Sequence, residues 1–301
     1  VLSGDVDQND KTAEGITPTA SDTVGTNSTH VLIFNGGSAI GANVSGNITK
    51  ATVLDGVVVT AGQANGSDQA ENGGGVYCDG AGIDDQCNPT LRNVDFLGNY
   101  AVFGGAISNQ TSGSDGNGGL SRPRIVDATF AGNAAGRFGG AIYNNVPFGG
   151  NSSPQIINAV FAGNSAEAGG AICNNAVGGI SSPEITNATF AGNSAEGTGG
   201  VGGAMYNLTG QVVGTINPQI ANTIFWGNQA DNDGDAIFNS GDASVTVDYS
   251  IVEGGDAGIA NGDGFSSGTD NLDKDPQFAD ASTPAGSDGL LGTLDDGLRL
   301  Q

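Results

Sequence analysis

A tetrapeptide, Phe-x-Gly-Asn, recurs five times in this chain of 301 residues, at intervals of 34, 31, 29 and 35 residues. Its phenylalanines are Phe96, Phe130, Phe161, Phe190 and Phe225, and its closing asparagines are Asn99, Asn133, Asn164, Asn193 and Asn228. A fixed word at irregular spacing indicates elements that keep their register while the loops between them vary in length. A repeat of this period predicts a solenoid of stacked units.

Two further words accompany the tetrapeptide. A strand-like block that begins with proline precedes each phenylalanine, as in residues 123–130, and a Gly-Gly-Ala-Ile word or a close variant follows, as in residues 139–142. These blocks are too short for helices and rich in β-branched residues. Strand alternation places Ala128 and Phe130 on one face. Stacked copies would line up the five phenylalanines and five asparagines as ladders, each winding about 4.8 Å from the next.

The sequence therefore predicts an all-β fold, a right-handed parallel β-helix solenoid, as a single domain over residues 1–301. Clear repeats cover about 51–260, with Val59 and Val252 in the phenylalanine position of the outer copies. Residues 1–50 read as degenerate N-terminal coils, and 261–301 as an acidic, glycine-rich C-terminal segment. Because Val1 opens within a strand-like run, we expect a fragment of, or a product processed from, a longer chain.

Residue parity predicts a bend within each proline-to-phenylalanine block. Ile125 and Phe130 are five positions apart, so both face inward only if the strand turns between them. We expect the turn at Asp127 and at its equivalents Asn158, Asn187 and Asn222, which would stack as a polar ladder. Gly139 and its equivalents predict a second corner. We also expect the asparagine of the tetrapeptide to take a left-handed conformation and to bond to its neighbour in the next winding.

Charge excludes some partners. Eight Lys and Arg against 32 Asp and Glu give a net charge of −24, so binding to nucleic acid or to anionic lipid is not expected. No apolar run is long enough for a spanning helix. Cys78 and Cys87 flank a polar loop, and a disulfide between them would indicate an oxidising compartment. Cys173 occupies the position that Tyr143 and Tyr206 hold in other copies, which indicates packing rather than nucleophilic chemistry.

The pairing of Phe-x-x-Asn with Gly-Gly-Ala-Ile resembles the repeat of polymorphic outer-membrane proteins, which are β-helical autotransporter adhesins. It is also similar to the broad set of secreted bacterial right-handed β-helix repeat proteins. Residues 2–7 with 53–56 resemble the early coils of that set, and residues 275–278 with 298–300 its closing segment. The resemblance implies a protein that is secreted or at the cell surface. The chain contains no autotransporter barrel sequence, which leaves that export route unsupported.

Acidic loops are the candidate metal sites. Short carboxylates among Gly and Asn suit Ca²⁺, so calcium is the expected cofactor, with a solvated acidic surface as the alternative. The candidate ligands are Asp5, Asp7 and Asp10; Asp231, Asp233 and Asp235; Asp270, Asp273 and Asp275; and Asp288, Asp295 and Asp296. The first group begins like an EF-hand loop but has Asp10 at the glycine position and Ile16 at the last one, which rejects that motif.

Three functions remain open. The first is a non-catalytic structural or adhesive surface protein (stalk, adhesin or matrix component), with loops such as 110–121 and 147–153 facing a surface glycan or protein. The second is a subunit of an extracellular filament or sheath, in which the chain stacks end to end on itself. The third is a carbohydrate-active enzyme or glycan-binding module. The primary prediction is that the chain is not an enzyme. No catalytic set of side chains is evident around Arg92, Arg122, Arg124 or Arg137, and the one histidine, His30, adjoins a strand.

Overall fold

The computed structural model describes residues 1–11, 15–36, 47–111, 118–210, 214–261, 265–280 and 297–300. Within them the chain is a parallel β-helix: each winding contributes a strand to three sheets in turn, and every strand pair between windings is parallel. The fold predicted from the repeat is confirmed. The helices of this part are short 3₁₀ turns, and none has the length and apolar character that crossing a membrane requires. These turns are Ala20–Asp22, Asp68–Glu71 and Gly255–Gly258.

Three long sheets run along the solenoid. Sheet 1 contains the strands Leu2–Ser3, Val53–Thr60, Thr90–Leu97, Arg124–Ala131, Gln155–Ala162, Glu184–Thr186, Thr189–Ala191, Gln219–Ala221, Ile224–Trp226, Ser244–Asp248, Ile251–Val252 and Phe265–Ser267. Sheet 2 contains Gln63–Ala64, Tyr100–Phe103, Ala134–Phe138, Ser165–Ala166, Ser194–Ala195 and Gln229–Ala230. Sheet 3 contains Leu32–Asn35, Val76–Asp79, Ile107–Gln110, Ile142–Val146, Ile172–Ala176, Met205–Thr209, Ile237–Ser240 and Ile259–Asn261. A small extra pair joins Gln86–Cys87 to Leu120–Ser121.

The five phenylalanines form one column inside the solenoid. All are fully buried, and neighbouring rings lie 4.9, 4.7, 4.5 and 4.7 Å apart, nearly parallel. Val59 pairs with Phe96 and Val252 with Phe225, so both valines extend the column as expected. Isoleucines from sheets 1 and 3, such as Ile125 and Ile142, fill the rest of the interior. No winding could bury these faces alone, so each depends on its neighbours.

Asparagines make two further columns. In the first, the side-chain amide of Asn99 donates to Asn133 Oδ1 at 3.0 Å, and the same bond recurs through the remaining copies of the tetrapeptide to Asn228. A second column, which the sequence analysis did not predict, runs along sheet 3 with amide bonds of 2.7–2.8 Å. Its members are Asn109, Asn144, Asn174, Asn207 and Asn239. These bonds satisfy amides that would otherwise be costly to bury.

The predicted bends lie where parity requires them. Asp127, Asn158, Asn187 and Asn222 all have φ between 52° and 56°, so the strand turns and both Ile125 and Phe130 face inward. Asn158 donates to Asp127 at 3.0 Å and Asn187 to Asn158 at 3.2 Å, which forms an exposed polar ladder.

At the corner between sheets 1 and 2, the left-handed conformation predicted for the tetrapeptide asparagine was wrong. The glycine of the tetrapeptide takes the left-handed turn there, for example Gly132 at φ 59°, and the following asparagine does not. Glycine has no Cβ and adopts positive φ without strain, which frees the asparagine for its ladder. Gly139, with φ 67°, makes the second corner that was predicted.

Candidate functional site

An open groove of about 700 Å³ crosses successive windings on the side where each one begins its sheet 1 strand. Three columns of side chains line it. The first contains Gln86, Asn151 and Ile180; the second contains Asn88, Arg122, Ser153 and Ser182; the third contains Arg124, Gln155 and Glu184. Lys50, with Thr49 and Ala51, closes the end nearest the N-terminus. We call this surface the basic groove.

Prolines between the second and third columns explain why the groove forms. Each proline lacks an N–H, but its carbonyl accepts a hydrogen bond from the third-column residue of the next winding. Arg124 N donates to Pro89 O at 2.9 Å, and Gln155 N donates to Pro123 O at 3.0 Å. The proline ring fixes φ, so flanking side chains are held in the same place in each winding. The groove columns are therefore a direct product of the repeated proline.

Side-chain hydrogen bonds hold the second column in register. The backbone N–H of Arg122 donates to Asn88 Oδ1 at 2.8 Å, and the N–H of Ser182 donates to Ser153 Oγ at 2.9 Å. Asn217 N donates to Ser182 Oγ in the same way, at 2.9 Å. Each of these N–H groups precedes a proline in the chain. The polar residues of the second column thus both shape the groove and line it.

The third column links a cation to a carboxylate through an amide. Arg124 Nε donates to Gln155 Oε1 at 3.2 Å, and Gln155 Nε2 donates to Glu184 Oε2 at 3.3 Å. Lys50 and Arg122 are exposed. Arg92 forms an ion pair with Asp55, and neither residue lines the groove. The guanidinium of Arg92 also lowers the pKa of Asp55.

The local charge of the groove opposes that of the whole chain. Three of the eight basic residues line it, against one lining carboxylate, while the net charge of the chain is −24. At physiological ionic strength the screening length is about 8 Å, so distant surface carboxylates act weakly on a group in the groove. A bound anion would interact mainly with Lys50, Arg122 and Arg124. The arrangement favours binding of negative charge there.

A disulfide between Cys78 and Cys87 adjoins this site. The two Cα atoms lie 5.8 Å apart, and the bond that the sequence predicted is present. Cys87 stands between Gln86 and Asn88, both of which line the groove, so the bond ties the groove wall to sheet 3. Cys173 is a free, fully buried thiol in register with Tyr143 and Tyr206, and burial raises its pKa. A protonated, inaccessible thiol is a packing residue.

The aspartates at residues 5–10 hold the N-terminal loop. Asp5 accepts from the N–H groups of Asn9 and Asp10, at 3.2 and 3.3 Å. Asp7 accepts from Thr26 N at 3.0 Å. Asp10, which is buried, accepts from Val24 N at 2.6 Å and from the hydroxyl of Thr17. These carboxylates accept hydrogen bonds from backbone N–H groups that, in the regular windings, would bond to the backbone of a neighbouring strand.

The second and third groups of predicted calcium ligands also bond to nearby backbone. Asp231 accepts from Gly197 N at 2.7 Å and Asp235 from Ala230 N at 2.9 Å. Asp273 accepts from Gly254 N at 3.1 Å and Asp275 from Gln277 N at 2.7 Å.

The remaining aspartates of these two groups, which the structure also describes, show no arrangement around a common point. Asp233 bonds to the adjacent Gly234 N, and Asp270 occupies a left-handed turn. In the part of the chain that the structure describes, no three His, Cys, Asp or Glu side chains converge as a metal site. Asp288, Asp295 and Asp296 lie outside the described residues. Calcium binding stays a prediction.

Arg122 and Arg124 stand out in the sequence, but their side chains could not be placed in one groove from the sequence alone. The available signal was the pair of residues that flank each repeated proline, because these stack from winding to winding. Lys50 lies beyond that pattern, before a winding in which the proline is missing, and only the fold places it beside the two arginines.

Comparisons with known proteins add no family assignment. No family model, no curated protein and no solved structure matches this chain. The parallel β-helix is therefore established by its own strand pairing, and the resemblance to outer-membrane adhesin repeats contributes only to the proposals that follow.

Proposed function

We propose that this chain is a non-catalytic, extracellular β-helix that acts as a structural or adhesive surface component and binds its partner along the basic groove. The observation that carries the proposal is the composition of the groove. Its columns present guanidinium, amide and hydroxyl groups over successive windings, which suits recognition of an extended molecule by many weak contacts. Binding by such contacts does not require the converging reactive groups that catalysis needs.

An extracellular location is supported by the disulfide and by the surface charge. Disulfides persist mainly in oxidising compartments. The net charge of −24 keeps a rod-shaped protein soluble and discourages lateral association. The similarity of the repeat to secreted bacterial β-helix proteins points in the same direction.

The absence of catalysis is part of the proposal and is supported by the chemistry of the groove. Glycoside hydrolysis generally uses two carboxyl groups that flank the bond. Among the described lining residues the groove holds one, Glu184, which is already bonded to Gln155. His30 lies on another side of the first windings, where its ring stacks on Tyr77 at 5.4 Å and Nδ1 is 3.0 Å from Gly73 O.

A panel of soluble polysaccharides tests this function. The purified protein is incubated with each polymer, with and without Ca²⁺, and retention on the polymer is measured together with release of reducing ends and of unsaturated uronates. We expect retention of the protein and no product above the rate of a heat-denatured control. Steady release of product that scales with protein concentration would contradict the proposal and favour an enzyme.

Assembly into filaments is a second candidate, favoured by the two outermost strands of sheet 1. Within the described residues Leu2–Ser3 pairs only with Val53–Thr60, and Phe265–Ser267 pairs only with Ser244–Asp248. A strand at the edge of a sheet can offer backbone groups to another copy of the chain. Negative-stain electron microscopy at increasing concentration separates the two: single rods favour the first function, and fibres that lengthen with concentration favour the second.

A further inference from the structure

We propose that the basic groove binds an extended anionic polysaccharide, with carboxylate or sulfate groups held by Lys50, Arg122 and Arg124. This inference rests on the proposed binding function and names the chemical class of the partner. The distribution of charge supports an anionic partner. A chain with 32 acidic and eight basic residues brings three of its cations to one open surface, and none of the three has a carboxylate within ion-pairing distance among the described residues.

Two arginines outside the groove, Arg92 and Arg137, differ from those inside it. Arg92 is paired with Asp55, and Arg137 lies over the rings of Phe103 and Phe138, at 5.7 and 5.3 Å from their centres. Both therefore have a structural partner. Arg122 has only its backbone engaged, and Arg124 donates one bond to a neutral amide. Guanidinium groups left in this state are suited to bidentate bonds with carboxylate or sulfate oxygens.

The shape of the groove also suits a polymer. The lining residues come from five successive windings; the stacked rings of four of these windings lie 4.5–4.9 Å apart, and at that spacing the groove is about 19 Å long. The lining runs across all five windings, as binding of an extended polymer requires. One winding advances by close to the length of one sugar unit, so repeated donors on the protein meet repeated oxygens on the polymer.

The neutral side chains of the groove suit a sugar polymer. Asn88, Ser153 and Ser182 supply amide and hydroxyl groups that suit sugar hydroxyls. Ile180, 42% exposed, gives the wall an apolar surface. Phe148, which is 67% exposed, lies on the loop that leads to Asn151, and this loop is joined to the loop before Ile180 by a 2.7 Å hydrogen bond from Gly149 N to Gly178 O. Apolar side chains beside polar ones match the two kinds of surface on a sugar ring.

Glu184 gives the groove a direction. It lies at the opposite end of the lined windings from Lys50, with Gln155 between it and Arg124. An anionic polymer would be attracted at the N-terminal end and repelled near Glu184. The carboxylate thus limits how many charged sugars are bound tightly, and its removal should strengthen binding of an anionic chain without affecting a neutral one.

Biolayer interferometry with immobilised polymers tests the inference in buffer with EDTA, so that calcium cannot bridge the acidic protein to the polymer. The probes are alginate, dextran sulfate and unmodified dextran. We expect binding to alginate, to dextran sulfate or to both, and none to dextran. Arg122→Gln and Arg124→Gln should each weaken binding about tenfold, the loss of one charge-assisted contact.

Two matched variants sharpen the test. Arg137→Gln removes the same charge outside the groove and should leave the affinity within about twofold, because exposed charges at a distance are screened. Glu184→Gln should raise the affinity for alginate or dextran sulfate by a few-fold. Thermal unfolding by circular dichroism establishes that each variant keeps its fold, and a variant that melts early is replaced by the alanine substitution at the same position, which removes the same charge.

Several results would overturn the inference. These are equal binding to dextran, unchanged binding by both arginine variants, and binding to single-stranded DNA as tight as to the anionic glycans. Failure to bind any of the three polymers would also reject it. Binding to dextran alone would leave the proposed adhesive function intact, whereas release of sugar products would reject that function and not the site. The two conclusions therefore fail separately.

Discussion

Two columns of the same sheet follow opposite rules. In the interior column of sheet 1 the residue is phenylalanine in five successive windings. In the groove column, six positions earlier in each winding, the residue changes from one winding to the next. That column reads Thr90, Arg124, Gln155, Glu184 and Gln219. The backbone register is the same for both, so the difference lies in what surrounds the side chains.

The interior column is constrained by packing, since each ring contacts the ring above and the ring below. Burying an aromatic side chain of this size contributes several kcal/mol, and a smaller one leaves a cavity. The groove column faces solvent, where most substitutions change stability by less than about 0.5 kcal/mol. The residues found there are free of the folding requirement, and this is why we assign binding to them.

The largest expected effect breaks the interior column. Phe161→Ala should lower the free energy of unfolding by about 3–5 kcal/mol, because the side chain is fully buried between Phe130 and Phe190. Gln155→Ala in the same strand is the matched control and should cost less than about 1 kcal/mol. Urea unfolding followed by circular dichroism measures both. Equal losses would show that the two columns do not differ in the way described.

The next effect concerns the first asparagine ladder. Asn164→Ala removes two donated bonds, to Phe130 O and Asn193 Oδ1, and two accepted from Asn133. Because each of these buried partners loses a hydrogen bond that water cannot replace, we expect a loss of about 2–4 kcal/mol. Asn217, which is exposed, provides the control through Asn217→Ala. A loss at position 164 no larger than at 217 would mean that the ladder contributes little.

A smaller effect tests the bends. Asn158 has φ 53°, a conformation that costs a β-branched residue about 1–2 kcal/mol, so Asn158→Val should destabilise by that amount. Asn158→Gly keeps the backbone relaxed and should lie within about 0.5 kcal/mol of the parent. The pair of variants, compared by thermal melting, isolates backbone strain from loss of the side chain. A glycine variant as unstable as the valine variant would attribute the effect to the lost amide instead.

The smallest effect is a dependence on pH. Burial raises the pKa of Asp95 above its usual value of 3.8, against an opposing hydrogen bond from Thr129. The ionised form is thus disfavoured in the folded state, and Asp95→Asn should raise stability at pH 7 by less than about 1 kcal/mol. The gain should fade as the pH is lowered toward 3.8, where the parent is protonated as well. Exposed Asp84→Asn is the control, and a gain at Asp95 that persists unchanged at low pH would contradict this origin.

Much of the interior could be predicted from the sequence because identical residues recur there. The repeated tetrapeptide located the phenylalanine column, and the odd separation of Ile125 and Phe130 required the bend at Asp127. The second asparagine ladder was missed, although an asparagine stands two residues after the isoleucine or methionine that begins each sheet 3 strand from Ile107 to Ile237. The left-handed conformation predicted for the tetrapeptide asparagine was wrong, because the preceding glycine adopts positive φ at lower cost.

The groove was harder to predict for a physical reason. Its residues differ in each winding, so no word repeats, and the loops from sheet 3 back to sheet 1 differ in length. Lys50 and Arg124 are far apart in sequence and line one groove only because the windings stack. Charge alone gave the opposite indication, since the whole chain is strongly acidic and its few cations are scattered along it.

Both the interior columns and the groove require that equivalent positions of consecutive windings lie directly on top of each other, and paired cysteines measure this most directly. In a Cys173→Ala background, Gln155→Cys with Glu184→Cys places two thiols at paired positions of sheet 1, within the range that a disulfide spans. Gln155→Cys with Thr186→Cys places the second thiol two positions further along the neighbouring strand, on the same face but beyond the distance that a disulfide spans. On mild oxidation, mass spectrometry should find a bond between residues 155 and 184 and none between 155 and 186. A bond in the offset pair, or none in the paired one, would contradict the stacking on which the interior and the groove both depend.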